Sequence, residues 1–201
     1  MSLRVWLPLN GDTENKGASL TAITNNGATI DNNGKIGKCY SFNGNNYYIS
    51  LVGQKLFDCF KGGSTPFSIC MWVYHSDSRR AILFGDWSTA NGIGFNIELS
   101  TAHAVRFYWN GNPDYWPGEM IVGANTWNHI TITYDGSTIT SYLNGIKKAT
   151  RSVTLAALNK VAGEFRLGRD NRTTDTALNG KLNDFRVYNH CLSPAEVHEI
   201  S

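Results

Sequence analysis

The stretch that most limits what this chain can become is WNHITITYDGSTITSYLNG, residues 127–145. Ile130, Ile132 and Tyr134 alternate with His129, Thr131 and Thr133. A period of two, apolar on one side and polar on the other, reads as a half-buried strand. Asp135-Gly136 follows, a pair that tolerates positive φ and turns a chain tightly. The chain returns through 138–143, where Ile139 and Leu143 alternate with Thr138, Thr140 and Tyr142. Asn144-Gly145 is a second turn of the same chemistry, and 146–149 leads away. Short strands joined by tight turns make an antiparallel meander.

The rest of the chain reads the same way. Leu3–Leu7 is a short strand carrying Trp6, followed by a polar loop with Asn10, Asp12 and Asn15. Further strands are expected at 28–30, 39–42 and 47–51, separated by Asn and Gly pairs. Residues 54–60, QKLFDCF, read as a short helical turn ended by Gly62-Gly63. The richest strand is 67–74, with Phe67, Ile69, Met71 and Val73 on one face and Cys70, Trp72 and Tyr74 on the other. Apolar residues on both faces imply a strand covered on both sides, or one whose second face holds a ligand. Strands at 79–86, 93–99, 104–109, 164–168 and 181–188 complete the set. Ser193-Pro194-Ala195-Glu196 is a capping box with Pro at the first helical position, so a short terminal helix ends near Ile200. Leu192 and Val197 are positioned to staple it to the sheet. Strands at this spacing predict a two-sheet sandwich whose last strand lies beside its first.

Length and charge exclude several classes. At 201 residues the chain has the size of one β-sandwich domain, residues 1–201, without internal repeat or linker. A net charge of +2 and no block of like charges argue against nucleic acid and anionic membranes as partners. Residues 1–11 lack an apolar run of signal-peptide length, and no stretch approaches a membrane span. Cys39, Cys59, Cys70 and Cys191 fit no zinc spacing; Cys39 and Cys70 fall in strands, and four free thiols are expected.

A Trp opening a strand, then TYDG, then a strand ending in Tyr-Leu-Asn-Gly, resembles the laminin-G-like, concanavalin-A-like domains. The closing segment LGRDNRTTDTALNGKLNDFRVYNHCLSPAEVHEI, the opening WLPLNGDTENKG and the strand FSICMWVY are similar to the same family. The resemblance covers nearly the whole chain and implies an all-β fold: an antiparallel jelly-roll sandwich with a short C-terminal helix. It is specific for fold and weak for ligand, because one fold hosts many functions.

The resembled fold includes glucan-cleaving enzymes, so catalysis needs testing. Glycosidases need two carboxyl groups, roughly 5 Å apart when retaining and farther when inverting. The Glu-x-Asp-x-x-Glu strand that a glucanase of this architecture resembles is missing, and Glu14, Glu98, Glu119, Glu164, Glu196 and Glu199 are scattered. Glu98 and Glu119 could meet in space, which is a matter for the fold and not for the sequence pattern. There is no Gly-x-Ser-x-Gly elbow and no HExxH spacing. The chain reads as non-catalytic.

A ligand site is expected at YWNGNPDYWPGE, residues 108–119, where Tyr108, Trp109, Tyr115 and Trp116 crowd a Gly- and Pro-bearing stretch. Trp87 follows another strand end. Exposed rings pack against sugar C–H faces, and Asn112, Asp114 and Arg80 offer groups for hydroxyls. The competing reading puts one Trp in the core and the others over the loop. The resemblance also implies Ca²⁺, which needs six to eight oxygens from several loops. Asn10 and Asp12 in the first loop and Asp184 in the last strand are the candidate ligands. The competing reading has these groups capping turns and pairing with Arg186.

The expected function is a carbohydrate-binding, lectin-like module for adhesion or surface recognition, its partner a glycan or cell-surface polysaccharide. The alternative is a structural domain of a phage tail or surface fibre, contacting other subunits of a virion or surface assembly. The opening SLRVWLPLNGD is similar to laminin-G-like segments of phage and gut-bacterial proteins. A third reading is a protein-binding laminin-G-like domain. A virion or the extracellular surface is the expected location.

Overall fold

The computed structural model describes residues 2–19, 21–86, 94–110, 120–158, 164–171 and 176–201. Among them lie strands β1 (Leu3–Leu7), β2 (Ala22–Asn26), β3 (Thr29–Asp31), β4 (Cys39–Asn43), β5 (Tyr48–Val52), β6 (Phe67–His75) and β7 (Ala81–Gly85). They continue with β8 (Phe95–Leu99), β9 (Val105–Trp109), β10 (Trp127–Tyr134), β11 (Thr138–Leu143), β12 (Ile146–Ser152), β13 (Phe165–Leu167) and β14 (Asn179–Tyr188). Helix α1 (Gln54–Phe57) runs into a 3₁₀ turn at Asp58–Phe60, and helix α2 is Pro194–Glu199.

Two antiparallel sheets face each other. One has the order β12-β11-β10-β6-β14-β4-β3, with β1 also on β14; the other is β2-β5-β13-β7-β8-β9. The meander of residues 127–145 holds. Thr131 opposes Tyr142 across β10 and β11, and Asn144 and Gly145 both take positive φ, 50° and 75°, in a two-residue turn. The core fills the space between the sheets. Phe67, Ile69, Met71 and Val73 of β6 join Phe84, Phe95, Phe107, Phe165 and Phe185 there. The Phe60 ring, brought in by the 3₁₀ turn, packs within 4.9–5.3 Å of the Phe67, Phe95 and Phe165 rings.

β14 organises the closure. Along one edge it pairs with β6 through Gly180–Asn183 and again through Arg186–Tyr188; along the other, Asn179–Leu182 pair with β4 and Phe185–Tyr188 with β1. The joint between those two partners is Asn183-Asp184, where Asp184 takes φ 51° and the register to β6 shifts. Asn183 donates to the carbonyls of Pro8 and Lys38 at 2.8 and 3.0 Å, and accepts from the Ile36 amide at 2.8 Å. The last strand therefore lies beside the first, as expected.

Two expectations change in detail. β2 was not anticipated: AITNN carries one residue, Ile23, that reaches the core, and it exists as a strand by pairing with β5. The second face of β10 is not exposed, because His129, Thr131 and Thr133 are as buried as the isoleucines. The cover is a second cluster outside the sheet: Cys70, Tyr142 and Tyr188 packed by Leu192 and Val197 of the α2 segment. The Ser193 hydroxyl accepts from the Glu196 amide, and the Glu196 carboxylate accepts from the Ser193 amide, completing the capping box. All four cysteines are free thiols. Burial pushes Cys39 up to about 11 and Cys59 up to about 12, which leaves them unreactive at neutral pH.

Candidate functional site

Alternation along β8 and β9 sends two kinds of side chain in opposite directions. Phe95, Ile97, Leu99, Val105, Phe107 and Trp109 enter the core. Asn96, Glu98, Arg106 and Tyr108 therefore share the outer face of the six-stranded sheet, with Glu98 opposite Arg106 and Asn96 opposite Tyr108.

Arg80, just before β7, reaches onto that face. Its Nε and Nη2 donate to the two carboxylate oxygens of Glu98 at 2.9 and 2.6 Å, a bidentate pair. The same guanidinium lies 5.8 Å from the centre of the Tyr108 ring. Burial opposes the charge on Arg80, but the paired Glu98 carboxylate outweighs it and raises the pKa above the usual guanidinium value. Arg106 donates to the Tyr108 hydroxyl at 3.4 Å. Glu98 is fully buried, whereas the Arg80 side chain is 36% exposed, so the cation is the half that solvent or a ligand meets.

The polar set continues across the sheet. Asn96 donates to the Asp170 carboxylate at 3.1 Å, and Asp86 accepts from the Phe95 amide at 2.9 Å. Gly85 makes room for Asn96: a Cβ there would stand 1.9 Å from the Asn96 Oδ1. Arg166 of β13 pairs with Glu164 and donates to the Asp170 carbonyl at 3.3 Å, while its guanidinium lies 4.3 Å from the Tyr48 ring centre. Partly exposed guanidinium groups can donate to hydroxyl or carboxylate oxygens; Arg80 is the more open of the two and Arg166 the less, and of the neighbouring rings Tyr48 is partly exposed while Tyr108 is buried.

Of the residues singled out from sequence, Arg80 and Tyr108 come together here. Trp87, Asn112, Asp114, Tyr115 and Trp116 lie outside the described residues, as does Glu119. Trp109 is corrected to a core position. It belongs to β9, is fully buried, stacks at 5.8 Å on Phe67, and donates its indole N–H to the Ala156 carbonyl at 2.8 Å. The reason is parity: Tyr108 faces outward, so its neighbour faces in. Sequence reasoning did not place Glu98, Tyr48 or Arg166 in a site. The alternation FNIEL held the signal for Glu98; the other two needed the sheet order.

Each of the expected calcium ligands has at least one oxygen engaged by a protein donor. Asn10 Oδ1 accepts from the Lys38 amide at 2.7 Å, and Asp12 Oδ1 from the Glu14 amide at 2.9 Å. Asp184 accepts from the Trp6 indole at 2.7 Å and from the Arg186 guanidinium at 3.1 and 2.8 Å. Among the described residues, no group of three or more His, Cys, Asp or Glu side chains converges as an ion would require.

A family model described as the Concanavalin A-like lectin/glucanases superfamily matches residues 43–198. The chain belongs to this superfamily. No curated protein sequence matches it. Among solved structures, this superfamily member is similar to domain 4 of AbnA, a GH43 extracellular arabinanase from Geobacillus stearothermophilus, in complex with arabinotriose. That likeness has 20% identity and a TM-score of 0.71, covering 98% of this chain and 97% of the other. It is also similar to the binding domain of botulinum neurotoxin serotype G, at 17% identity and TM-score 0.73, with 98% of this chain and 50% of the other covered. The binding domain of Paraclostridial Mosquitocidal Protein 1 gives 18% identity and TM-score 0.72, with 99% and 51% covered. The superfamily member thus spans nearly all of the arabinanase domain and about half the length of the toxin binding domains. At these identities the likeness is one of fold. Among the described residues, no helix is long and apolar enough to cross a membrane.

Proposed function

We propose that this superfamily member is a non-catalytic carbohydrate-binding module for adhesion or surface recognition, its glycan lying on the outer face of the six-stranded sheet. The observation that carries this reading is the Arg80–Glu98 pair beside Tyr108, a partly exposed guanidinium fixed by a buried carboxylate next to a largely buried aromatic ring. β9 leads in sequence straight into residues 111–119, which hold Asn112, Asp114, Tyr115 and Trp116. That a similar fold was solved with arabinotriose is in keeping with it. The non-catalytic reading is supported by Glu98, both of whose oxygens are held by Arg80 rather than left to a substrate.

A glycan array is the first test: saturable binding supports the module, and silence across many sugars favours the structural role in a fibre or virion. With a ligand in hand, Arg80→Ala and Trp116→Ala should weaken binding by tens-fold, about 2 kcal/mol each. Trp116→Ala should leave the melting temperature nearly unchanged. Trp109→Ala is the contrast, and should cost about 3–5 kcal/mol of stability because it empties a core position. A Trp116 variant that unfolds like the Trp109 variant would remove Trp116 from the site.

A further inference from the structure

At one end of the sandwich the two sheets touch through a pair of histidines. His75 closes β6 of the eight-stranded sheet and is fully buried. His103 stands in the turn between β8 and β9 of the six-stranded sheet and is half-buried. Their Nδ1 atoms are 3.1 Å apart and their ring centres 5.1 Å apart. His103 takes φ 58°, uncommon for a residue with a side chain, and its amide donates to the Ser100 carbonyl at 2.9 Å. Residues 120–126, which lead into β10, are tied to both histidines. The Val122 amide donates to the His103 carbonyl at 3.0 Å, and the Asn125 amide to the His75 carbonyl at 2.9 Å.

Two nitrogens at this distance share one proton: one Nδ1 donates and the other accepts. A neutral or singly charged pair keeps that bond. A doubly charged pair has two donors, no acceptor between them and two like charges in contact. The surroundings do little to absorb the second charge. His75 Nε2 is 3.4 Å from Asp77 Oδ1, longer than an ordinary N–H···O bond. Asp77 already accepts from Arg79 and from Asn179, and Arg79 brings a further positive charge. Opposite His75 on β14 stands Gly180, and residues 120–126 carry no titratable side chain. Burial lowers the His75 pKa, against the raising pull of Asp77.

We propose that His75 and His103 form an acid-released clasp, which holds the β8–β9 turn onto the end of β6 at neutral pH and frees it when both rings are protonated. The open form takes up two protons near the ordinary histidine value of about 6.5, and the closed form at most one. The clasp is therefore whole above about 6.5 and weakens as pH falls. At about pH 5 a difference of one proton favours opening about thirtyfold. The freed turn joins the strands that bear Glu98 and Tyr108, yet the clasp needs no ligand on that face.

The test is amide hydrogen exchange of the full chain labelled with nitrogen-15, at about pH 7.5 and about pH 5, each rate divided by its intrinsic rate at that pH. Protection at Val122 and Asn125 should fall about tenfold or more further than at Ile132 of β10, which reports opening of the whole sheet. His75→Gln should remove this extra fall. A glutamine amide turns either its oxygen or its nitrogen toward His103, and so serves both protonation states. A fall at Val122 and Asn125 that only follows Ile132 overturns the clasp. So does an extra fall that persists in His75→Gln. Should that variant fail to fold, the imidazole nitrogen resonances of the unaltered chain decide. Two rings that accept their second proton at different pH, the later one as Val122 loses protection, support the clasp. Two rings that titrate together near 6.5 overturn it.

Discussion

His129 shows how far a single position departs from its sequence pattern. It alternates with isoleucines like a surface residue, yet it is 1% exposed, packs its ring 5.1 Å from that of Trp72 and meets the Thr131 hydroxyl at 3.5 Å. Burial, and secondarily the charge of Arg186, push its pKa from 6.5 down to about 4. The unfolded chain takes up a proton near 6.5, while the folded protein refuses it until about 4. Acidification therefore favours unfolding: the contribution of neutral His129 is whole above 6.5 and is lost as pH falls to about 4. At most about 3 kcal/mol is at stake. Burial lowers His75 as well, so part of the acid loss belongs to it. Denaturant midpoints measured from pH 7 to pH 4 should fall, and His129→Gln should flatten that fall. A wild-type midpoint constant across this range would contradict a buried neutral imidazole.

At the scale of elements, the meander carries its own instructions. The Asp135 carboxylate accepts from the amides of Ser137 and Thr138 at 2.8 and 2.7 Å, so it closes the turn through its side chain. Positive φ is needed at Gly136, where it is 104°, and not at Asp135. A Cβ at Gly136 would also stand 2.9 Å from the Ser64 carbonyl oxygen. Gly136→Val should cost about 1–3 kcal/mol through backbone strain. Asp135→Ala should cost about 1 kcal/mol through lost acceptors. Equilibrium unfolding in urea separates the two, and equal midpoints for wild type and both variants would remove this account of the turn. These elements were legible because their signals are local. β2 was not, since a polar edge strand exists through its partner, β5.

Over the whole molecule, closure depends on β14 holding β4 and β1 end to end. Asp184 ties that joint, linking the Trp6 indole of β1 to Arg186 of its own strand. Asp184→Ala leaves a partly buried guanidinium and an indole N–H without this acceptor, so it should cost about 1–3 kcal/mol. If Asp184 acts as this tie, the loss is the same in excess chelator and in millimolar Ca²⁺. If it acts as a calcium ligand, wild type gains stability with Ca²⁺ by mass action and the variant does not. Thermal melts of both proteins in both buffers distinguish the two, and the engaged geometry of Asp184 favours the first.

The sequence by itself determined the strands with clean alternation, the Asn144-Gly145 turn, the capping box of α2 and the two-sided apolar character of β6. Each of these rests on neighbours a few residues apart, where backbone preference and periodicity act alone. It also marked Arg80 and Tyr108, because cations and aromatics at strand ends are visible one residue at a time. The tertiary structure alone decided that Trp109 points inward, that the threonine face of β10 is buried, and that Glu98 holds Arg80. It alone joined Trp6 to Asp184 across 178 positions. The physical reason is that burial and partner are properties of strand order and sheet packing, and no local pattern encodes which face a distant helix or loop will cover.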